Sequence, residues 1–169
     1  MKTAFEGKHL LVKETDDWQF VERKKGKTAV AVIAETEDGH VILTEQFRRP
    51  LGKRVIDYAA GLVGDEEGVS DPAVSAKKEL EEETGYVCRE VELLATGPTS
   101  PGITSEIVSF YRARGVRRKG EGGGVSGEDI TVHTIPRREL RGWLRQKEKE
   151  GVLIDLKLWG GLYFLSEEP

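Results

Sequence analysis

A predicted helix with clear signals at both ends is the feature that most constrains the fold of this chain. Asp71 precedes Pro72, a pair that favours an N-cap followed by the first turn of a helix. Gly85 is the residue type at which helices most often end. Small and apolar residues recur at helical spacing between these signals, so one face of the helix should be buried. That apolar face consists of Ala73, Ala76 and Leu80.

Four glutamates crowd into the second half of this helix. Glu79 and Glu83 are four residues apart, so their like charges repel each other, and the helix dipole disfavours negative charge in the last turn. Each effect costs only roughly a few tenths of a kcal/mol, so a solvated acidic face is one interpretation. In the other, bound cations offset the repulsion, because Glu79, Glu82 and Glu83 share one side of the helix and magnesium prefers carboxylate oxygens.

Composition narrows the class of protein. At 169 residues the chain is expected to form one domain with a substantial core. Its net charge of −4 gives no basic excess for nucleic acid, and no apolar run approaches the length of a membrane span. Cys88 is the only cysteine, which excludes an intrachain disulfide. We therefore expect a cytoplasmic protein with neither nucleic acid nor membrane as a partner.

The rest of the chain is typical of short strands arranged around this helix. Residues 28–34 form a continuous run of small and β-branched residues, which indicates a strand buried on both faces. Strands before and after an embedded helix predict a mixed sheet flanked by helices. The predicted strands are 9–13, 18–23, 28–34, 41–47, 55–58, 91–96, 107–112 and 130–135, with further helices at 136–149 and 152–165.

The acidic end of the helix resembles a Nudix box. That family pattern is Gly, five residues, Glu, seven residues, then Arg-Glu-apolar-x-Glu-Glu-x-Gly-apolar. The sequence KELEEETGY at residues 78–86 matches its second half closely. The first half departs, because Lys78 replaces the arginine, Ser70 replaces the glutamate and the loop is three residues longer. Since both members of the family's ion pair change together, we expect a loop braced differently, with Glu66 or Glu67 pairing with Lys78.

Two loops narrow the resemblance to the branch that hydrolyses ADP-ribose and nucleoside diphosphate sugars. SPGITSE at residues 100–106 and EGGGVSGEDI at residues 121–130 are similar to loops of that branch. Pro101 also lies fifteen residues beyond Tyr86, a spacing associated with ADP-ribose hydrolases. The resemblance implies an α/β fold, a Nudix α/β/α sandwich with a mixed sheet and a short N-terminal β segment. It implies hydrolysis of the diphosphate bond to a nucleoside monophosphate and a sugar phosphate.

The resemblance also implies a metal site for Mg²⁺ or Mn²⁺. In related enzymes a glutamate often stands two positions before the Glu-Asp-Ile triplet, where it acts as catalytic base or positions the attacking water; Ser126 stands at that position here. Either Glu128 has taken this role or catalysis is impaired. The implied catalytic residues are Glu82, Ser126 and Glu128. The implied metal ligands are Ala60 through its carbonyl oxygen, Glu79, Glu82, Glu83 and Glu128.

Three further residues are expected to contact the substrate. Arg48 is a predicted clamp on the phosphates or the adjoining ribose, since guanidinium pairs well with phosphate; an ordinary surface arginine is the alternative. Trp18 is predicted to stack on the nucleobase, with a half-buried strand tryptophan as the alternative. Glu106 is expected to face the second ribose or sugar.

The resemblance extends to assembly and to rival functions. It implies a homodimer that uses residues 1–27 as a strand segment for dimerisation and base contact, with residues 28–169 as the Nudix hydrolase domain. A nucleoside diphosphate sugar is the expected small-molecule partner. Two alternatives stay open: a hydrolase that prefers GDP-mannose or accepts many nucleotide sugars, and a catalytically silent Nudix sensor that binds a nucleotide.

Overall fold

A small antiparallel sheet forms the N-terminal part of the chain. The computed structural model describes residues 1–26, 28–64, 70–125 and 127–166. The sheet has strand order β1-β2-β3, and a tight turn at Asp16, with φ of 49°, joins its last two strands. Its strands are β1 (Lys2–Glu6), β2 (Leu10–Thr15) and β3 (Trp18–Arg23). The two predicted N-terminal strands are therefore confirmed, and β1 is an addition.

A nine-stranded mixed sheet forms the centre of the molecule. β4 pairs in parallel with β10, and β6 pairs in parallel with β12, whereas the remaining pairs are antiparallel. Its strands are β4 (Thr28–Thr36), β5 (His40–Arg48), β6 (Lys53–Asp57), β7 (Ala59–Leu62), β8 (Tyr86–Val87), β9 (Glu90–Pro98), β10 (Ile107–Arg118), β11 (Ile130–Pro136) and β12 (Leu153–Ile154).

Helices cover both faces of this sheet. They are α1 (Pro72–Thr84), α2 (Leu140–Lys149) and α3 (Leu156–Ser166). Alternate residues of β4 face opposite layers: Val30 and Val32 pack with Leu80 of α1, whereas Ile33 packs with Leu144 of α2 and Leu158 of α3. This arrangement confirms the predicted α/β/α sandwich. Within the described residues, no helix combines the length and apolar composition needed to cross a membrane.

Both predicted ends of α1 are confirmed. The Asp71 carboxylate accepts a hydrogen bond from the backbone N–H of Ala73 at 2.9 Å, which satisfies one of the free donors of the first turn. Gly85 adopts φ of 75° and its N–H donates to the carbonyl of Glu81 at 2.8 Å. These caps fix where the helix starts and stops, and therefore which glutamates face the sheet.

Two boundary predictions are wrong at the C-terminal end. The predicted helix over residues 152–165 begins only at Leu156, because Leu153–Ile154 forms β12 beside β6. A short apolar run fits a strand and a helix equally well, so periodicity alone did not separate them. The predicted helix over residues 136–149 also begins later, since Arg137–Glu139 is a 3-10 turn ahead of α2.

Backbone hydrogen bonds fasten the N-terminal sheet to the central one. The N–H of Val21 donates to the carbonyl of Ile103 at 2.7 Å, and the N–H of Ser105 donates to the carbonyl of Val21 at 3.3 Å. The Arg23 guanidinium then pairs with Glu106 at 2.5 Å. The predicted SPGITSE loop therefore holds β3 against the body of the protein.

The glycine pair in α3 gives a test of the packing. A Cβ at Gly161 would collide with the ring of Tyr58, which is fully buried, whereas a Cβ at Gly160 meets no atom within 4 Å. We expect Gly161→Ala to lower the free energy of unfolding by about 1–3 kcal/mol through overpacking. Gly160→Ala should raise it by about 0.5–1 kcal/mol, because alanine favours a helix. Urea unfolding measures both; equal effects from the two variants would contradict this packing.

Candidate active site

A cavity of about 380 Å³ brings charged side chains together from distant parts of the sequence. It opens beside β4 and β7, where the second half of α1 crosses the sheet. Its walls carry both signs of charge, which suits a ligand that combines anionic groups with bound cations. The charged residues on its walls are Arg23, Arg48, Asp57, Glu79, Glu83, Glu106, Glu128 and Lys157.

Glu83 is the most buried of the predicted metal ligands. Glu83 is only 7% exposed, and its Oε2 accepts a hydrogen bond from the N–H of Ala60 at 3.0 Å. Burial raises the pKa of the Glu83 carboxyl to about 8. The neighbouring charges of Glu79 and Glu128 contribute to this rise, while the Ala60 N–H and Arg48 oppose it. An ionised Glu83 is therefore unfavourable until positive charge approaches it.

Glu79 reaches the same strand because a glycine makes room for it. A Cβ at Gly61 would collide with the carboxylate of Glu79. Glu79 and Glu83 are one helical turn apart, so both project toward Ala60 and Gly61 of β7. The glycine of the predicted box is thus required by the close approach of a side chain.

The donor set fits a hard divalent cation. Two glutamate carboxylates, the Ala60 backbone and Glu128 offer oxygen atoms around one cavity, and oxygen is the ligand that magnesium and manganese prefer. Among the described residues, no three His, Cys, Asp or Glu side chains are drawn together into a ready cluster. Repulsion from Glu79 and Glu128 contributes to the raised pKa of Glu83, although burial is the main cause.

Glu82 occupies a different place from the other two glutamates. Its Oε2 pairs with Lys78 Nζ at 3.3 Å, one turn back along α1, and Glu82 is absent from the residues that line the cavity. The structure therefore brings Glu79 and Glu83 together but directs Glu82 to the helix surface. The alternative partners predicted for Lys78, Glu66 and Glu67, lie outside the described residues.

The glycine-rich loop docks on the C-terminal end of α1. The N–H of Gly123 donates to the carbonyl of Glu83 at 2.8 Å, and the N–H of Gly124 donates to the carbonyl of Glu82 at 3.0 Å. These bonds satisfy carbonyls that a helix end leaves without partners. Glu128 accepts from the N–H of Val125 at 2.9 Å and lines the cavity. Ser126, the predicted site of the altered base, lies outside the described residues.

The predicted substrate residues divide into two groups. Arg48 and Glu106 both line the cavity, and Glu106 is held by Arg23. Trp18 is not among the lining residues; it is 58% exposed and sits at the opposite end of β3 from Arg23, about 17 Å along the strand. A role for Trp18 in binding a base stays a prediction.

Sequence reasoning missed a buried ion-pair group in the cavity wall. Lys157 Nζ contacts Asp57 at 2.9 Å and Asp155 at 2.7 Å. Burial raises the pKa of Asp57 to about 6, against the pull of Lys157. Burial acts to lower the pKa of Lys157, but the two aspartates outweigh it and the pKa is raised. No short motif links these residues, because Asp57 and Lys157 are far apart in the sequence. The pairing of β12 with β6 brings the start of α3 beside the end of β6.

Comparison with known proteins places this geometry in context. A family model described as NUDIX domain matches residues 25–153. Among curated relatives, an ADP-ribose pyrophosphatase from Bacillus subtilis is 41% identical and the match covers 50% of this chain and 44% of that protein. A GDP-mannose pyrophosphatase from Cronobacter sakazakii is 34% identical, with coverage of 79% and 70%. A methanol dehydrogenase activator from Bacillus methanolicus is 44% identical, with coverage of 63% and 56%.

Structural comparison supports the same architecture. The crystal structure of an ADP compounds hydrolase superposes with a TM-score of 0.64 at 17% identity, and the match covers 83% of this chain and 80% of that chain. At that identity the match concerns the fold alone. The chain spans about half the length of the first two curated relatives, the activator and the Bacillus subtilis pyrophosphatase.

The burial of Glu83 predicts how stability depends on pH. Because the pKa of its carboxyl rises from about 4.5 to about 8 on folding, the folded chain retains the proton longer than the unfolded chain. In EDTA, the melting temperature should therefore fall as the pH rises from 5 to 8. Glu83→Gln should lie above the wild type at pH 8 by at least a few degrees and match it at pH 5, since about 1 kcal/mol shifts Tm by roughly 2–4 °C.

Glu81→Gln, on the same helix, is the control for loss of one charge, since the Glu81 side chain is 44% exposed and pairs with Lys119 at the surface. If the melting temperatures of the wild type and of Glu83→Gln changed in parallel between pH 5 and pH 8, the burial of an ionisable Glu83 would be contradicted.

Proposed function

The chain belongs to the NUDIX domain family, and we propose that it hydrolyses the diphosphate bond of ADP-ribose or a related nucleoside diphosphate sugar. The products are a nucleoside monophosphate and a sugar phosphate. The observation that carries this proposal is the convergence of Glu79 and Glu83 on Ala60 and Gly61, inside a cavity that also contains arginines. The names of two relatives, an ADP-ribose pyrophosphatase and a GDP-mannose pyrophosphatase, support the same substrate class.

The charged walls of the cavity suit hydrolysis in two ways: the carboxylates can hold cations, and the arginines can bind phosphate oxygens. Divalent cations held by Glu79, Glu83 and Glu128, with Mg²⁺ or Mn²⁺ as the proposed ions, would neutralise phosphate charge and activate a water molecule. Water attacks one phosphorus in line, the bridging P–O bond breaks, and the bridging oxygen leaves on the other phosphate. Arg48 and Arg23 bind phosphate oxygens through their guanidinium groups. The Glu128 carboxylate accepts the proton of the attacking water.

The base preference is the finer part of the proposal. A relative named GDP-mannose pyrophosphatase aligns over 79% of this chain, more than the relative named ADP-ribose pyrophosphatase. GDP-mannose is therefore the second candidate substrate. Parallel rate measurements with ADP-ribose and GDP-mannose decide between them.

We also propose that the enzyme is a homodimer in which the N-terminal sheet serves the partner's site. Trp18 is exposed and distant from the cavity of its own chain, although Arg23 on the same strand lines that cavity. An exposed tryptophan at the far end of β3 is suited to stack on a base bound by a second chain. Size-exclusion chromatography with light scattering tests the dimer.

Metal dependence is the first activity test. EDTA should abolish hydrolysis of ADP-ribose and GDP-mannose, and Mg²⁺ or Mn²⁺ should restore it. Glu83→Gln should lower kcat by at least about 100-fold, the loss seen when one preorganised transition-state stabiliser is removed. Because the variant is expected to fold more stably than the wild type in EDTA, lost activity cannot be attributed to unfolding.

Glu81→Gln again provides the matched control and should retain kcat. Full activity in Glu83→Gln, or undiminished hydrolysis in EDTA, would sink the assignment of this site.

Trp18 gives a separate test of base binding. Stacking of an aromatic side chain on a base contributes about 1–3 kcal/mol and is nearly equal in the ground and transition states. Trp18→Ala should therefore raise KM about tenfold and change kcat little, as steady-state kinetics on the folded, dimeric variant will show. The control is Phe5→Ala, an exposed aromatic on β1 of the same sheet, which should leave KM unchanged. An unaltered KM in Trp18→Ala would return Trp18 to a structural role.

A further inference from the structure

Arg54 stands at the centre of a charged group beside the glycine-rich loop. From β6 its Nε contacts Glu45 Oε1 at 2.6 Å and its Nη1 contacts Asp129 Oδ2 at 2.9 Å. Its Nη2 donates to the carbonyl of Glu45 at 2.9 Å and to Thr131 Oγ1 at 3.1 Å. One guanidinium thus joins β5 and β6 to the point where the loop ends and β11 begins.

The base of this group is rigid. Glu45 is only 7% exposed, and its second carboxylate oxygen lies 2.8 Å from His133 Nε2. The His133 ring packs against the ring of Trp143 on α2, with centroids 4.9 Å apart. Arg54 is therefore held on one side by the buried Glu45, while its Nη1 donates to the Asp129 side chain, which is mostly exposed.

The loop between its two attachments contains conformations that other residues rarely adopt. Gly123 and Gly124 have φ of 102° and 83°, and Gly127 has φ of 93°. The start of the loop is held by the carbonyls of Glu82 and Glu83, as described above. Glu128 is adjacent to Asp129, so the Arg54 contact lies one residue from the carboxylate that enters the cavity.

We propose that Arg54 is a positioning residue, which holds Asp129 and thereby fixes the Glu128 carboxylate over the cavity. The inference rests on the proposed function, in which Glu128 both helps to hold the cation and accepts a proton from water. A glycine-rich segment with one fixed end would sample many arrangements, whereas two fixed ends restrict the reach of Glu128. An exposed ion pair contributes little to the stability of a fold, so the geometry points to orientation as the purpose of the Asp129 contact.

The contact requires an arginine. Its planar fork makes four hydrogen bonds to three residues, in directions that a lysine ammonium cannot reproduce together. Arg54→Lys retains the charge but loses part of this geometry. Arg54→Met removes both. Comparison of the two separates electrostatic attraction from the fixing of position.

Steady-state kinetics on ADP-ribose and GDP-mannose with Mg²⁺ test the proposal. Arg54→Met should lower kcat by roughly 10- to 100-fold, as small misplacements of reacting groups do, and change KM less than about threefold. Arg54→Lys should be intermediate. Arg114→Met is the matched control, since Arg114 is similarly exposed and pairs with Glu92 at 3.1 Å on a part of the sheet outside the cavity; its kcat should equal that of the wild type.

A double-mutant cycle identifies the residue through which Arg54 acts. If Arg54 works by placing Glu128, then Arg54→Met combined with Glu128→Gln should be no slower than Glu128→Gln alone. Asp129→Asn should resemble Arg54→Met and add nothing to it. A wild-type kcat in Arg54→Met, or effects of Arg54→Met and Glu128→Gln that multiply, would overturn the proposal.

Hydrogen exchange distinguishes failure of this inference from failure of the proposed function. If the wild type hydrolyses neither probe, the function is wrong but the loop can still be examined. The amide of Glu128 donates to the carbonyl of Val125 at 3.1 Å, so its exchange reports the order of the loop. Arg54→Met should accelerate exchange of the Glu128 amide relative to Arg114→Met, and equal rates in the two variants would refute the positioning role.

Discussion

The hydrogen bond from the Ala60 N–H to the Glu83 carboxylate is the contact on which the site depends. It joins the C-terminal half of α1 to β7 and thereby sets the depth at which the helix crosses the sheet. Burial of this carboxylate is costly, as the raised pKa of Glu83 records. A fold selected for stability alone would place leucine or alanine there. The protein instead retains a group that becomes favourable once positive charge is bound, so stability and the proposed cation binding conflict at this residue.

Local signals predicted the layers of the fold and both ends of α1. Asp71 and Gly85 act within a few residues of themselves, so their roles were readable from sequence. The small and β-branched residues at 28–34 predicted a doubly buried strand, and both faces of β4 do pack against helices. The prediction was wrong where sheet pairing decided the outcome: Leu153–Ile154 becomes a strand because the edge of β6 is available to it.

The candidate site was only partly predictable for a related reason. Glu79, Glu83, Ala60, Arg48 and Glu128 belong to recognisable motifs, and the cavity contains all five. Arg23, Asp57 and Lys157 reach the same cavity from three separate elements, and sequence spacing carries no record of such proximity. Helical spacing alone did not show which of the glutamates would line the cavity. Successive residues of a helix are rotated by about 100°, so Glu82 pairs with Lys78 while Glu79 and Glu83 line the cavity.

The ion pair between Asp57 and Lys157 has a consequence for synthesis of the chain on the ribosome. Asp57 belongs to a strand made early, yet its cation arrives only with the last helix. Until residue 157 has emerged, a nascent chain that closed its sheet would bury an aspartate without its cation, which disfavours early closure. Completion of the cavity is thereby tied to completion of the sandwich. A stalled or shortened product without Lys157 would therefore lack part of one wall of the cavity.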